Sequence, residues 1–223
     1  KRMSVFNKWL FVTLASVYFL ILVGAFVRAS GAGMGCPDWP KCYGQIIPPT
    51  DASQISSGFE EILRQKRIAK FDRFITVVET FGLSSFLKID GFDVNKLQAF
   101  NAKKTWIEYV NRLVGVAIGF FIIICVGLAF KLRKFSWRYF VWSVILLLIT
   151  LFEGYLGSLV VAANLLPGLI TVHMFFALIM VGILVKLFVD SSPRSLEVNS
   201  VWKYRVMLVV VFVQLLLGVV VRE

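Results

Sequence analysis

The sequence predicts an all-α polytopic membrane protein: a four-helix transmembrane bundle followed by the start of a second, repeated bundle. Three observations carry this. Long apolar runs recur along the chain, and with 58% hydrophobic against 17% charged residues and a mean hydropathy of +0.80 they exclude an ordinary soluble domain. The Lys and Arg residues that produce the net charge of +11 fall in short loops and at run ends, as orientation signals do, so a nucleic-acid-binding face is not expected. Finally, Leu216, Leu217, Gly218, Val221 and Arg222 echo Leu22, Val23, Gly24, Val27 and Arg28 at a constant offset. Bilayer insertion does not demand Gly-x-x-x-Arg at a helix end, so the echo reads as an internal duplication whose second copy begins where the chain stops. With a start at Lys1 rather than Met, the sequence reads as part of a longer protein.

The elements follow in order. Residues 1–29 form a cytoplasmic N-terminus and a first span at about 9–29, close to the roughly 20 residues a bilayer core requires. The segment is too long for a signal peptide and lacks a cleavage site. Residues 30–105 make a long outer loop. Residues 106–190 hold three further spans, at about 106–130, 139–163 and 168–189, which complete the first half. A cytoplasmic linker covers 191–203, and 204–223 begin a fifth span. Lys1, Arg2 and Lys8, then Lys131, Arg133, Lys134 and Arg138, then Arg194, Lys203 and Arg205 share one side, which places the N-terminus in the cytoplasm. The expected location is a bacterial plasma membrane, with a mitochondrial inner membrane as the alternative.

On the opposite side lies GAGMGCPDWPKCYGQIIPP. Cys36 and Cys42 flank Pro37 and Pro40, whose rings restrict the backbone between them, so the thiols can meet in a tight loop. Facing outward, such a disulfide would persist. The alternative is two unrelated loop cysteines. Further along, Phe59, Ile62, Leu63, Phe71, Phe74, Ile75 and Val78 recur at near-helical spacing, with Arg64, Lys66, Arg67, Lys70 and Arg73 as the polar side. This amphipathic helix either lies on the membrane surface, covers the bundle from outside or forms a solvated lid.

Chemistry is expected where polar side chains enter the membrane. The second span opens TWIEYVNRLVGVAIG, which puts Glu108, Asn111 and Arg112 within two turns of its outer end. Gly115 and Gly119 continue that side and leave room for a flat ligand or for plain helix contact. At nearly the depth of Asn111, the fourth span carries His173, the single histidine. An intramembrane imidazole either ligates haem iron or bonds a neighbouring carbonyl. The third span adds Glu153, Gly154, Gly157 and Ser158, and Glu153 must be protonated, paired or wetted there. Cys125 reads as a small packing residue.

Taken together, Gly24 to Arg28 with SGAGMGCPDWPKCYGQIIPP, Glu108-x-x-Asn111-Arg112, Glu153-Gly-x-Leu-Gly157, and Leu165-Leu-Pro with His173 after it resemble the haem A synthases, membrane enzymes of cytochrome oxidase assembly. The resemblance spans nearly all of the chain except the long outer loop. It implies two fused four-helix halves related by a pseudo-twofold axis, of which this chain is the first half plus one helix. It also implies oxidation of the C8 methyl of haem O to the formyl group of haem A. The first half would hold the substrate haem, and the second half, beyond this sequence, a haem b that relays electrons. The family's motif acid falls on Glu108, its fourth-helix histidine on His173 as iron ligand, and its outer cysteine pair on Cys36 and Cys42. Arg28 and Arg112 are expected at the haem propionates. Partners would be haem O, the bilayer, haem O synthase or oxidase assembly factors, and a second copy of the chain, with no nucleic acid.

One departure matters. Where the family motif usually has histidine this chain has Asn111, a poor iron ligand. Bis-histidine ligation in this half is thereby replaced by His173 alone, or by His173 with water or Asn111 as a weak sixth partner. An open iron position suits substrate chemistry, and equally a half that has lost it. Two functions follow: an oxidoreductase acting on bound haem, with Glu108 as the group beside the reacting carbon, or a non-catalytic haem-binding or oxidase-assembly protein. In the bland alternative Glu108 and Arg112 make only a surface ion pair.

Overall fold

The computed structural model describes residues 2–38, 40–84, 89 and 99–192. Their regular structure is helical: α1 (Arg2–Ala29), α2 (Phe59–Thr80), α3 (Ala102–Leu132), α4 (Trp137–Ala162) and α5 (Pro167–Ser191), with a short 3₁₀ turn at Ala52–Gln54. Four of these, α1, α3, α4 and α5, are long and apolar enough to cross a membrane. The fifth span, the basic residues Arg194, Lys203 and Arg205, and the echo at Gly218 and Arg222 lie outside the described residues.

Helix ends differ from the hydropathy bounds because caps, not apolarity, terminate a helix. The side chain of Asn101 accepts a hydrogen bond from the Lys104 N–H and starts α3 one turn before the apolar run, while Pro167 occupies the first turn of α5. At the end of α1, the Ala32 N–H reaches back to Val27 O (2.9 Å) and Gly31, at φ +64°, turns the chain out of the helix. The α4 end repeats this closure with Asn164 at φ +48° and the Leu165 N–H on Val160 O (2.8 Å).

Packing is cyclic. The helix α1 lies against α3 and α5, and α4 against α3 and α5, so α3 and α5 occupy opposite corners and face across the bundle. The end away from the long loop is closed by Phe6, Leu10, Ile122, Leu146, Leu184 and Leu187, all fully buried. Lipid tails are as apolar as leucine, so this end is held by van der Waals fit and by interhelical hydrogen bonds. Asn7 Nδ2 donates to Phe188 O and Ser191 Oγ, both at 2.9 Å, and joins α1 to α5. Cys125 is buried beside Thr13, Sγ to Oγ1 3.6 Å, as a small packing residue should be.

Of the three arrangements open to α2, covering the bundle is the one observed. Its Phe71 packs into a cluster with Leu156, Leu159, Val160 and Leu166 at the loop end of α4 and the start of α5. The expected faces need correction. Leu63, Arg67, Phe71 and Val78 make up the buried stripe, whereas Ile62 is 51% exposed. Steps of four and seven residues hold that stripe on one side of the helix, and Arg67 takes a place in it because its guanidinium reaches Asn164 Oδ1 in the α4–α5 turn. Lys70 also turns inward, with Nζ 2.8 Å from Ser158 Oγ.

The loop after α1 is clamped to the first turns of α3. Cys36 and Cys42 form a disulfide. The Cys42 and Gln45 backbones exchange two hydrogen bonds around Tyr43 and Gly44, both at positive φ, which is the two-residue turn of a type I′ hairpin. The carboxylate of Asp38 accepts from the Tyr43 N–H (2.6 Å) and the Gly44 N–H (2.9 Å). Gly35 passes so close to α3 that a Cβ there would stand 2.4 Å from Lys104 O and 2.7 Å from Thr105 N. Backbone cannot move aside as a side-chain tip can.

Gly35→Ala is therefore expected to destabilise the protein by about 1–3 kcal/mol, read as a lower thermal midpoint in detergent. Gly127→Ala, whose Cβ meets nothing within 4 Å, should leave the midpoint unchanged or slightly raised. After denaturation without reductant, alkylation should label Cys125 and spare Cys36 and Cys42. Reducing the pair should cost about 2 kcal/mol, given a loop closed over a separation of 6 residues.

Candidate functional site

Three helices bring unsatisfied polar groups into the loop half of the bundle. On α4, Glu153 and Gly157 are one turn apart and share a face. From α5, His173 meets that face: its Nδ1 lies 2.8 Å from Glu153 Oε2, and a Cβ on Gly157 would sit 3.8 Å from its Cε1. The small residue thus leaves space that the imidazole uses. The Nδ1 to carboxylate approach has ion-pair distance but not hydrogen-bond alignment, so His173 Nδ1 and Glu153 Oε1 both remain buried without a hydrogen bond. Asn111 Oδ1 on α3 is in the same condition. Five such atoms occur among the described residues, and three belong to this trio, one from each of α3, α4 and α5. Each costs about 1–3 kcal/mol while it lacks a partner, and all three lie at a similar depth in the loop half, His173 and Glu153 in contact and Asn111 on a separate helix.

Toward the loop, Glu108 and Arg112 are paired, but not at the surface. Glu108 is 3% exposed. One carboxylate oxygen accepts the Cys36 N–H at 2.7 Å and the other takes Arg112 Nη2. Arg112 extends the clamp, donating to the carbonyl oxygens of Cys36, Asp38 (2.7 Å) and Lys41 (3.3 Å). Both terminal nitrogens of its guanidinium are thus turned to the loop. Arg28, in the last turn of α1, is half-buried, and its side chain makes no hydrogen bond or ion pair among the described residues. Beside the disulfide, Tyr43 packs between Phe59 and Phe100, and burial, with help from the Asp38, Glu108 and Glu60 carboxylates, pushes its hydroxyl up to about 12.

The structure thus gathers Glu108, Arg112, Cys36 and Cys42 into one assembly, and His173 with Glu153 into another. Asn111 lies one turn beyond Glu108 along α3, across the bundle from the helix of His173. Sequence reasoning missed two features. Asp38 organises the turn after the disulfide, signalled only by an acid ahead of a Tyr-Gly pair. Arg67 and Lys70 reach inward from α2, and the visible signal was that Leu63, Arg67 and Phe71 fall at steps of four.

A haem can be tested against these residues directly. A lone imidazole holds a metal firmly only when the remaining ligands arrive with it, as in a porphyrin, and an iron-bound His commonly has its other ring nitrogen against a carboxylate. Glu153 stands 2.8 Å from His173 Nδ1, a distance from which a small rotation of either side chain makes that hydrogen bond, and Nε2 is left for iron. Gly157 adds no bulk against the imidazole, and a Cβ on Gly119 of α3 would meet nothing within 4 Å. The residues fit the group.

Comparison with known proteins identifies the family. A family model described as cytochrome oxidase assembly protein, COX15-CtaA, matches residues 7–223. The chain is similar to a heme A synthase of Shewanella oneidensis, 25% identical over 193 residues, which is 86% of this chain and 48% of that protein. It is similar to one of Ehrlichia canis at 23% over 221 residues, 94% of this chain and 57% of the relative. A 32-residue stretch is 50% identical to a heme A synthase of Symbiobacterium thermophilum, covering 14% of this chain and 10% of that one. The chain spans about half the length of the curated relatives it matches over most of its own length. No solved structure matches. With the family matched from residue 7 to the last residue, the chain belongs to the COX15-CtaA family of cytochrome oxidase assembly proteins.

Proposed function

We propose that this chain is the substrate-holding half of a haem A synthase, which converts haem O to haem A in a bacterial plasma membrane with its N-terminus in the cytoplasm. The observation that carries the reading is the intramembrane His173 on α5, with Nδ1 2.8 Å from Glu153 and the ring against Gly157, within a four-helix bundle of this family. In it, residues 30–105 form the outer loop, 106–190 complete the first half, and 204–223 begin a second, pseudo-twofold-related half that would carry haem b.

His173 binds the haem iron through Nε2, and Glu153 fixes the imidazole from the other side. Asn111, where the family motif usually has histidine, would offer at most a weak polar group from α3. The iron of the substrate haem supplies its redox chemistry. Two successive hydroxylations, each a two-electron oxidation that takes its oxygen from water and releases two protons, would convert the C8 methyl to a geminal diol that loses water to the formyl group. The electrons pass to an acceptor outside this chain. Of the two arginines expected at the propionates, Arg28 is the one whose side chain is uncommitted, since Arg112 is engaged by the loop carbonyls.

Glu108 has two roles to be separated: the group beside the reacting carbon, and the anchor of the disulfide loop. The second reading, a non-catalytic haem carrier or assembly factor, is favoured by one observation, that both Glu108 oxygens are already committed to Cys36 and Arg112.

His173→Ala in the full-length protein should abolish the haem absorbance of this half while the protein still inserts; unchanged absorbance in a background lacking any second-half haem would sink the ligand assignment. Glu108→Gln retains an oxygen for the Cys36 N–H. In a strain with no other source of haem A it should bind haem O normally yet accumulate substrate or a hydroxylated intermediate. Wild-type haem A from that variant would leave Glu108 with the anchoring role alone.

A further inference from the structure

On α2 one inward-turned cation stands without an acidic partner among the described residues. Lys70 enters from α2 and its ammonium is met only by neutral oxygens of one residue, Ser158 Oγ at 2.8 Å and Ser158 O at 3.3 Å. No carboxylate lies within ion-pair distance of it among the described residues: Glu153 is taken by His173 and Glu108 by Arg112. A half-buried ammonium without a counter-charge is costly, and holding α2 on α4 does not require a charge, because Phe71 already packs that contact. Burial, and then the nearby charge of Arg112, push the Lys70 ammonium below the usual lysine range, the direction expected where a cation sits beside another cation with no anion between them.

The location is as informative as the charge. Ser158 directly follows Gly157, the residue against the His173 imidazole, so the ammonium is held at the same level of α4 as the expected iron ligand, on the side where α2 closes over the bundle. A porphyrin ligated there carries two propionate carboxylates. Arg28 is uncommitted on α1 and Lys70 is unneutralised on α2, so each can take one.

We propose that Lys70, presented by the outer-loop helix α2, is a specificity residue that binds a propionate carboxylate of the porphyrin and so lets the loop recognise its cargo. The inference rests on the haem-holding function proposed above. It gives α2 a use beyond covering the bundle: the helix supplies a charge-assisted hydrogen bond that a bound carboxylate completes.

The test uses the full-length protein in nanodiscs, titrated with iron protoporphyrin IX and with its dimethyl ester, in which both propionates are neutral. Wild type should bind the free acid at least about tenfold more tightly than the ester. Lys70→Gln should lose about tenfold for the acid, keep its ester affinity, and retain the His173-dependent shift of the Soret band. Lys70→Arg should restore the preference for the acid. Equal weakening toward acid and ester would show that Lys70 only holds α2 in place, and unchanged acid affinity would show that it contacts no propionate; either overturns the inference and leaves the haem-holding function standing. If wild type takes up neither porphyrin, that function fails and the role of Lys70 fails with it.

Discussion

The Glu108–Arg112 pair, locked onto the backbone of residues 36–41, is the constraint on which the loop end of this protein depends. It is intrahelical, four residues apart on α3, yet it acts between segments: the carboxylate receives the Cys36 N–H, and the guanidinium gathers the carbonyl oxygens of Cys36, Asp38 and Lys41. An exposed pair of this spacing would contribute only about 0.3–0.5 kcal/mol. Here it is buried and fully hydrogen-bonded, the condition in which deleting one partner strands the other at a cost of about 3–5 kcal/mol. A lysine at 112 could not replace the arginine, because only the planar fork supplies several donors in fixed directions. The disulfide, the approach of Gly35 to α3 and the Tyr43–Gly44 turn all lie within or beside the segment this pair immobilises.

That anchoring lets the two ends of the bundle differ in character. Away from the loop, large side chains interdigitate and Asn7 finds partners on α5. In the loop half the helices carry Gly115, Gly119, Gly154 and Gly157 together with Asn111, Glu153 and His173, so cohesion there comes from outside the ring, through the clamped loop and through α2. A site with small and unsatisfied side chains is a poor glue. It persists because the far end and the loop hold the helices apart at fixed corners, with α3 and α5 facing across the bundle.

Much of this was legible in the sequence, for identifiable reasons. Apolar runs of bilayer length give span number directly, and polar residues inside them give site candidates, because few other causes place His173 or Glu153 there. The cysteine pair was readable from its proline framing. Tertiary direction was not. Arg67 and Lys70 have the composition of a solvated face, and only the position of α2 over α4 reveals that long cationic side chains fill part of the buried side. Nor could sequence decide whether Glu108 and Arg112 lie at the surface or inside, since that is set by a loop about seventy residues earlier in the chain folding back over them.

Buried polar atoms without a protein partner, those of Asn111, Glu153 and His173 among them, weigh on the bundle: each costs about 1–3 kcal/mol while nothing satisfies it, against a total stability for a folded domain of about 5–15 kcal/mol. A fold tolerates several such groups in one place only where other contacts compensate or where a ligand relieves them. The first condition is met by the clamp and the far-end core. The second makes stability and occupancy one quantity, because a ligand that satisfies these atoms only in the folded state adds RT ln(1 + [L]/Kd) to the folding free energy. On that argument, residues that look poorly chosen for packing are the ones to test for binding, and α2, whose Lys70 reaches Ser158 one residue beyond Gly157, is to be tested with them.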